Sequence, residues 1–234
     1  MDVLVSGFTE AVNLIVGFDP YVMEIISVSM RVSGIALIIA AVIGIPIGAL
    51  LGLTNFPGKN LVVALLYTGM GFPPVVVGLI VFIILSNAGP LGSLDWLYTP
   101  NAIIIAQSLI SFPLVAGFTM TAVMGVDKRL LMQLKALGAT KGQALWATVK
   151  EARLGVLVSI IAGFGAVISE VGAVMMVGGN IRGSTRVLTT AVVLETRQGN
   201  FGVAMAFGLI LLLITFVVNF VMLHFQGRKL MGRD

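Results

Sequence analysis

The chain has 234 residues, of which 58% are hydrophobic and only 10% charged. Soluble domains carry roughly 25% charged residues, so fourteen Lys and Arg, ten Asp and Glu and one His cannot clothe a soluble globule of this size. That excludes a soluble enzyme and a disordered chain, and the absence of Cys excludes a disulfide framework, a thiolate metal site and a thiol nucleophile.

The first segment, 1–20, is weakly apolar. Phe8, Val12, Leu14, Ile15 and Phe18 recur near helical spacing, interrupted by Asp2, Glu10 and Asn13. This pattern predicts a short amphipathic helix at a membrane interface. No basic residue precedes Arg31, so the segment does not read as a secretory signal.

A helix needs about 20 mostly apolar residues to cross a bilayer core. Five runs qualify: 27–53, 61–85, 102–124, 154–177 and 201–225. The first can extend back to Tyr21. None alternates apolar and polar residues as barrel strands do. The expected fold is an all-α integral membrane protein, one transmembrane domain over 1–234.

Three of these runs carry helix breakers. Pro46 lies between Gly44 and Gly48 in the first; Gly69, Gly71, Pro73 and Pro74 interrupt the second; Pro113 sits in the third. Proline removes a backbone donor and kinks a helix, and in lipid the freed carbonyls need protein or cavity water. Kinked helices lining a pathway is the sharper reading; simple tolerance of proline is the bland one. Gly44, Gly48 and Gly52 recur every fourth residue, on one face that permits close helix approach. Internal packing is preferred over a dimer face. The fourth run holds Glu170, the one acid placed deep in a span. Charge there costs roughly 2.5–3.5 kcal/mol on insertion scales, so the residue should be protonated, paired or facing a polar cavity. A bond locking neighbouring helices or a gate role is favoured over proton coupling. Pro73, Pro74, Glu170 and Asn180 are the pore or gate candidates.

Residues 125–153 form a linker too polar to enter lipid. Leu130, Leu131, Leu134 and Leu137 make an amphipathic stripe that ends at Gly138. Thr140 and Gln143 then have capping-box spacing and open a second helix, with Ala144, Leu145 and Val149 on one face and Lys141 and Lys150 facing water.

The charges set the orientation. Lys59, six basic residues of the linker (Lys128, Arg129, Lys135, Lys141, Lys150, Arg153) and the tail's Arg228, Lys229 and Arg233 fall on one side of five spans, ten of the fourteen cations. By the positive-inside rule that side is cytoplasmic, which puts the carboxyl terminus inside and the amino terminus outside the plasma membrane. The basic balance therefore reflects the lipid bilayer and a protein partner, not nucleic acid. The outer loop after the fourth span offers Gly178, Gly179, Asn180, Arg182, Ser184, Thr185 and Arg186, a set of donors suited to an anion.

Several features are decoys. The stretch from Gly52 to Asn60 is superficially similar to a phosphate loop, but it has five residues between its glycines and Asn60 where a hydroxyl should hold magnesium. His224 is alone, and no His, Asp and Glu cluster could hold a metal.

The linker carries a resemblance. Leu137-Gly138-Ala139, a short helix and then a span resemble the "EAA" loop of importer permeases of the ATP-binding cassette (ABC) family. Met132, Gln133 and Leu134 stand where that motif's EAA would be, and Lys150-Glu151 where its Leu-Pro would be. Residues 71–78, GFPPVVVG, resemble the second-span motif of molybdate and tungstate permeases. Residues 168–181, ISEVGAVMMVGGNI, with 185–190, TRVLTT, resemble the tungstate type. The resemblance implies a type I ABC importer permease working as a homodimer. Each copy would meet a separate subunit that binds ATP and Mg, and an extracytoplasmic oxyanion-binding protein would deliver the substrate. The chain itself would bind no cofactor and catalyse nothing. It also implies that Leu137, Gly138, Ala139, Thr140, Lys141 and Gln143 couple to the ATPase, and it favours Arg182 and Arg186 as docking residues for the binding protein. The implied cargo is tungstate or molybdate. The alternative is an ion-coupled secondary transporter of a small anion, which predicts inverted repeats and more buried polar groups.

Overall fold

The computed structural model describes residues 2–230, and the described residues form helices and connecting turns. α1 runs Asp2–Val16 and packs along the last helix of the chain. The packing is tight: a Cβ on Gly7 would stand 2.6 Å from the Met205 side chain.

α2 runs unbroken over Pro20–Leu53, so the extension back to Tyr21 is real. Its start is set locally. Pro20 occupies the first turn, where its missing N–H costs nothing, and Asp19 accepts from the N–H groups of Tyr21 at 3.0 Å and Val22 at 3.1 Å. At 1.5 Å per residue α2 is about 51 Å long, well beyond a bilayer core of roughly 30 Å.

The second apolar run is two helices, α3 (Lys59–Met70) and α4 (Pro74–Leu85), bent by 100°. The cause is local. Pro74 has no N–H to continue α3's ladder, Pro73 is held extended at φ −61° and ψ 120°, and both suit the start of a new helix. The prolines at 46 and 113 behave differently: α2 and α5 (Pro100–Met124) each continue through theirs. Of the three proline-bearing runs, only the double proline breaks its helix.

The linker folds into α6 (Lys128–Ala136) and α7 (Lys141–Glu151). α8 (Arg153–Ile168) follows, bent 72° from α7. The fourth apolar run is not one helix to Val177. α8 stops at Ile168, and α9 (Gly172–Gly178) starts after a break at 169–171 that holds Glu170. No proline marks this break. The stretch assigned to an outer loop also contains a helix, α10 (Leu188–Arg197), whose Leu188, Thr189, Thr190 and Ala191 are buried. Its ten residues are too few to span, which is why apolar length alone passes it over. α11 covers Phe201–Leu230. Among the described residues, three helices are long and apolar enough to cross a membrane: α2, α5 and the Phe201–His224 part of α11. By length and composition the number rises to as many as five if the bent pairs α3–α4 and α7–α8 each count as one span, the α8 part carrying the apolar stretch of the second pair.

α5 is the hub, packed against α2, α3, α4, α8 and α9. Its seam with α2 is built from small residues. Gly44, Gly48 and Gly52 all face α5, and a Cβ on Gly48 would collide with the Ala116 carbonyl. The glycine face is therefore internal packing, as expected from its spacing. Val32, Ala36, Ala40, Ala49, Ala102, Ala106 and Ala116 fill the remainder of the seam, each at most 1% exposed. Large apolar side chains point outward instead, among them Ile38 and Val42 of α2 and Leu212 and Phe216 of α11.

Gly48→Ala should destabilise the protein by about 1–3 kcal/mol, the usual cost of overpacking. Gly34→Ala, on the same helix with open space around it, should be neutral. Thermal unfolding of the two variants in detergent checks this; equal midpoints would refute the close-approach account.

Candidate functional site

The two helix breaks meet. A Cβ on Gly78 of α4 would stand 2.7 Å from the Ala173 Cα of α9, and one on Gly172 would stand 2.7 Å from Val75 Cγ2. The second-span break with Pro73 and Pro74 and the fourth-span break with Glu170 thus start two short helices that pack on each other. Three of the four gate candidates share this junction.

Glu170 is 9% exposed, and its carboxylate has a defined task. Oε1 accepts from the Ala173 N–H at 2.8 Å, capping the first turn of α9. The helix start needs an acceptor there, and its dipole favours a negative group. The side-chain bond is thus local, three residues along the same segment, and not the bond between neighbouring helices that the sequence suggested.

The break is held from two further sides. Gln107 of α5, 2% exposed, donates from Nε2 to the Val167 carbonyl at 2.9 Å, while its Oε1 is buried without a partner. Thr189 of α10 donates from Oγ1 to the Glu170 carbonyl at 2.8 Å. Sequence reasoning missed both residues. Gln107 had a signal, as an amide inside an apolar run; Thr189 had none outside the motif that carries it.

Asn180 lies elsewhere, in the turn that follows α9. It adopts the left-handed region at φ 52°. Arg186 holds it there, donating from Nε to Asn180 Oδ1 at 3.3 Å and from a terminal nitrogen to its backbone carbonyl at 3.2 Å. Arg186 also donates to the Tyr21 hydroxyl at 2.7 Å. Thr185 staples the same turn, donating to the Gly178 carbonyl and accepting from the Ile181 N–H at 2.9 Å.

The two docking candidates therefore differ. Arg186 is half-buried and committed to bonds within the chain. Arg182 is exposed, its guanidinium carbon 4.7 Å above the Tyr21 ring centre. A cation on an aromatic face is oriented without using its hydrogen-bond donors, so Arg182 can still receive an anionic group.

The α6–α7 hairpin is the third feature. Gly138, at φ +77°, makes the turn that a side chain would strain. The capping box is complete: Thr140 Oγ1 accepts from the Gln143 N–H at 3.3 Å, and Gln143 Oε1 accepts from the Thr140 N–H at 2.8 Å. Ala144 is buried, and Leu145 and Val149 pack beside Ala152 and Val156 of the α7–α8 corner. Other apolar groups of the hairpin stand open to solvent: Leu137 is 84% exposed, Trp146 70% and Met132 62%. Lys141 is exposed as well.

Long apolar helices, two interrupted helices joined at their breaks and a polar helical hairpin define a multi-pass membrane transport subunit. The model of the family described as "binding-protein-dependent transport system inner membrane component" matches residues 44–230, and the chain belongs to that family. It is therefore a multi-pass inner-membrane protein and a non-catalytic permease; ATP is bound by a partner ATPase, and membership sets aside the secondary-transporter alternative. Among curated proteins, it is 43% identical to the tungstate uptake system permease protein TupB of Peptoclostridium acidaminophilum over 97% of this chain and 99% of that one. It is 32% identical to TupB of Campylobacter jejuni over 94% and 92%. It is 28% identical to the molybdenum transport system permease protein ModB of Escherichia coli K12 over 77% and 83%. Among solved structures, an amino acid ABC transporter chain superposes with a TM-score of 0.66 at 16% identity, covering 92% of this chain and 96% of that one. A bacterial importer of the polysaccharide alginate gives 0.69 at 18% identity, with 88% and 79% covered. At those identities the likeness concerns the fold alone.

Glu170→Gln keeps an acceptor for the Ala173 N–H and should retain most transport. Glu170→Leu leaves that donor bare and should destabilise the break by about 1 kcal/mol or more. Uptake by the two variants at matched expression checks this; loss in Gln equal to loss in Leu would show that the charge, not the cap, is required.

Proposed function

We propose that this chain is the pore subunit of an ATP-driven importer of a tetrahedral oxyanion, tungstate or molybdate, and that it works as a homodimer. The observation that carries the reading is 43% identity to a tungstate uptake permease over 97% of the chain. Family membership supports a binding protein and an ATPase as partners. The positive-inside distribution supports an amino terminus outside and a carboxyl terminus in the cytoplasm.

The parts then take roles. Leu137, Gly138, Ala139, Thr140, Lys141 and Gln143 lie on the hairpin that seats on the ATPase. Its exposed Leu137, Trp146 and Met132 are apolar knobs on a hairpin that also exposes Arg129, Lys141 and Lys150, and such anchors supply most of the energy of a docked interface. Arg182 receives an acidic patch of the loaded binding protein. Pro73, Pro74 and Glu170 border the gate where the two broken helices meet. Asn180, clasped by Arg186, shapes the mouth above them. Closure of the two ATPases on ATP draws the two hairpins together and turns the pathway from inward-open to outward-open.

Vesicles holding this chain, its ATPase and its binding protein should accumulate tungstate or molybdate only when ATP is supplied on the cytoplasmic side. Uptake driven by a proton or sodium gradient without ATP would overturn the reading. In the same vesicles Leu137→Asp should cut ATP-dependent uptake about tenfold, the equivalent of ~1.4 kcal/mol at the interface. Undiminished uptake would remove the hairpin from the coupling path.

A further inference from the structure

Residues 186–189 connect three parts of the molecule within four positions. Arg186 donates to the Tyr21 hydroxyl near the start of α2 at 2.7 Å. Leu188 donates its N–H to Ser29 Oγ, about two turns further along α2, at 2.8 Å. Thr189 turns the other way and donates to the Glu170 carbonyl at 2.8 Å. Ser29 is 2% exposed and Thr189 6%.

The Thr189 bond leaves its own helix, because α10 begins at Leu188 and offers Thr189 no helical carbonyl one turn back. Helical threonine hydroxyls ordinarily bond a carbonyl one turn back in their own helix, as Thr9, Thr121 and Thr196 do. Thr189 sits in the first turn of α10 and instead reaches nineteen residues back, to the break between α8 and α9. A carbonyl exposed by a helix break inside a membrane protein must find a donor. Thr189 is that donor, so the break cannot change shape without carrying α10 or losing the bond. The Glu170 side chain meanwhile caps α9 through Ala173, and Ala173 packs on Gly78 of α4. The contacts run without a gap from the Arg182–Arg186 turn to the α4–α9 junction.

We propose that Thr189 is a positioning residue that transmits binding-protein docking at the outer turn to the gate junction at Glu170. The proposal rests on the docking and gate roles given above. Docking on Arg182 loads the turn; the turn moves α10 relative to α2; Thr189 passes that movement to the Glu170 carbonyl and so to α9 and α4. Thr189 touches neither cargo nor ATP, so its effect appears only where docking is converted into hydrolysis.

The test uses the complete complex in lipid nanodiscs, with the loaded binding protein added. Two quantities are read: the affinity for the binding protein, and the ratio of stimulated to basal ATP hydrolysis. Thr189→Val, which keeps the shape and removes the donor, should lower that ratio about tenfold, as expected for ~1.4 kcal/mol lost from one buried bond. Its affinity should stay within about twofold of the parent, and Thr189→Ser, which restores the hydroxyl, should restore the ratio. A parental ratio in Thr189→Val overturns the proposal. So does a parallel fall in affinity and basal hydrolysis, which marks a merely structural bond, or a Ser variant that fails to rescue. Arg182→Glu separates the underlying reading: it should weaken affinity about tenfold, the effect of ~1.4 kcal/mol at the docking contact. Unchanged affinity there, with a ratio lowered by Thr189→Val, would refute docking at Arg182 while keeping Thr189 as the link to the gate.

Discussion

A polypeptide inside a membrane cannot leave backbone N–H and C=O groups unpaired, because no water is available to them. This chain interrupts two of its apolar runs, at 71–73 and 169–171, and the surrounding structure answers to those interruptions. At the first, proline removes donors instead of leaving them bare. At the second, three side chains from different places complete the backbone: Glu170 accepts from Ala173, Gln107 donates to Val167, and Thr189 donates to Glu170. The buried Gln107 Oε1 without a partner shows that the accounting there is nearly closed but not fully so.

Around the breaks the molecule is built for rigidity. α2 and α5 approach so closely that glycine is required at 48, and the seam between them is lined with Ala, Gly and Val. Without a hydrophobic drive between helices in lipid, this intimate packing is what holds them together. In the proposed function, that frame is what short helices such as α4 and α9 would move against, and a change at a well-packed junction would be a switch between arrangements, not a gradual flexing. The turn that follows α9 belongs to the frame through Tyr21 and Ser29 and to the junction through Thr189.

Much of this was legible in the sequence. Apolar length located the long helices, the small-residue spacing located the α2–α5 seam, and the Thr140–Gln143 spacing located the start of α7. Each is a local or periodic signal. The break at Glu170 was not legible as a break, because an acid in an apolar run marks a polar requirement without saying whether the helix continues. Pro46 and Pro113 show the converse: a proline predicts a lost hydrogen bond, and neighbouring packing decides whether the helix stops. α10 was hidden by its shortness, since what stabilises it is burial against α2 and α11 and not its own apolar run. The split between Arg182 and Arg186 is tertiary as well, because both depend on Tyr21, which is 165 residues from Arg186.

The central claim is that the junction of the two broken helices borders a pathway that opens alternately to the two sides. The chain contains no cysteine, so one can be placed at Val171, half-buried in the second break, and its reaction with a membrane-impermeant maleimide timed in vesicles carrying the whole complex. The account predicts reaction from the cytoplasmic side without nucleotide and from the outer side when ATP is bound and hydrolysis blocked. Equal labelling in both states, or none from either side, would contradict it.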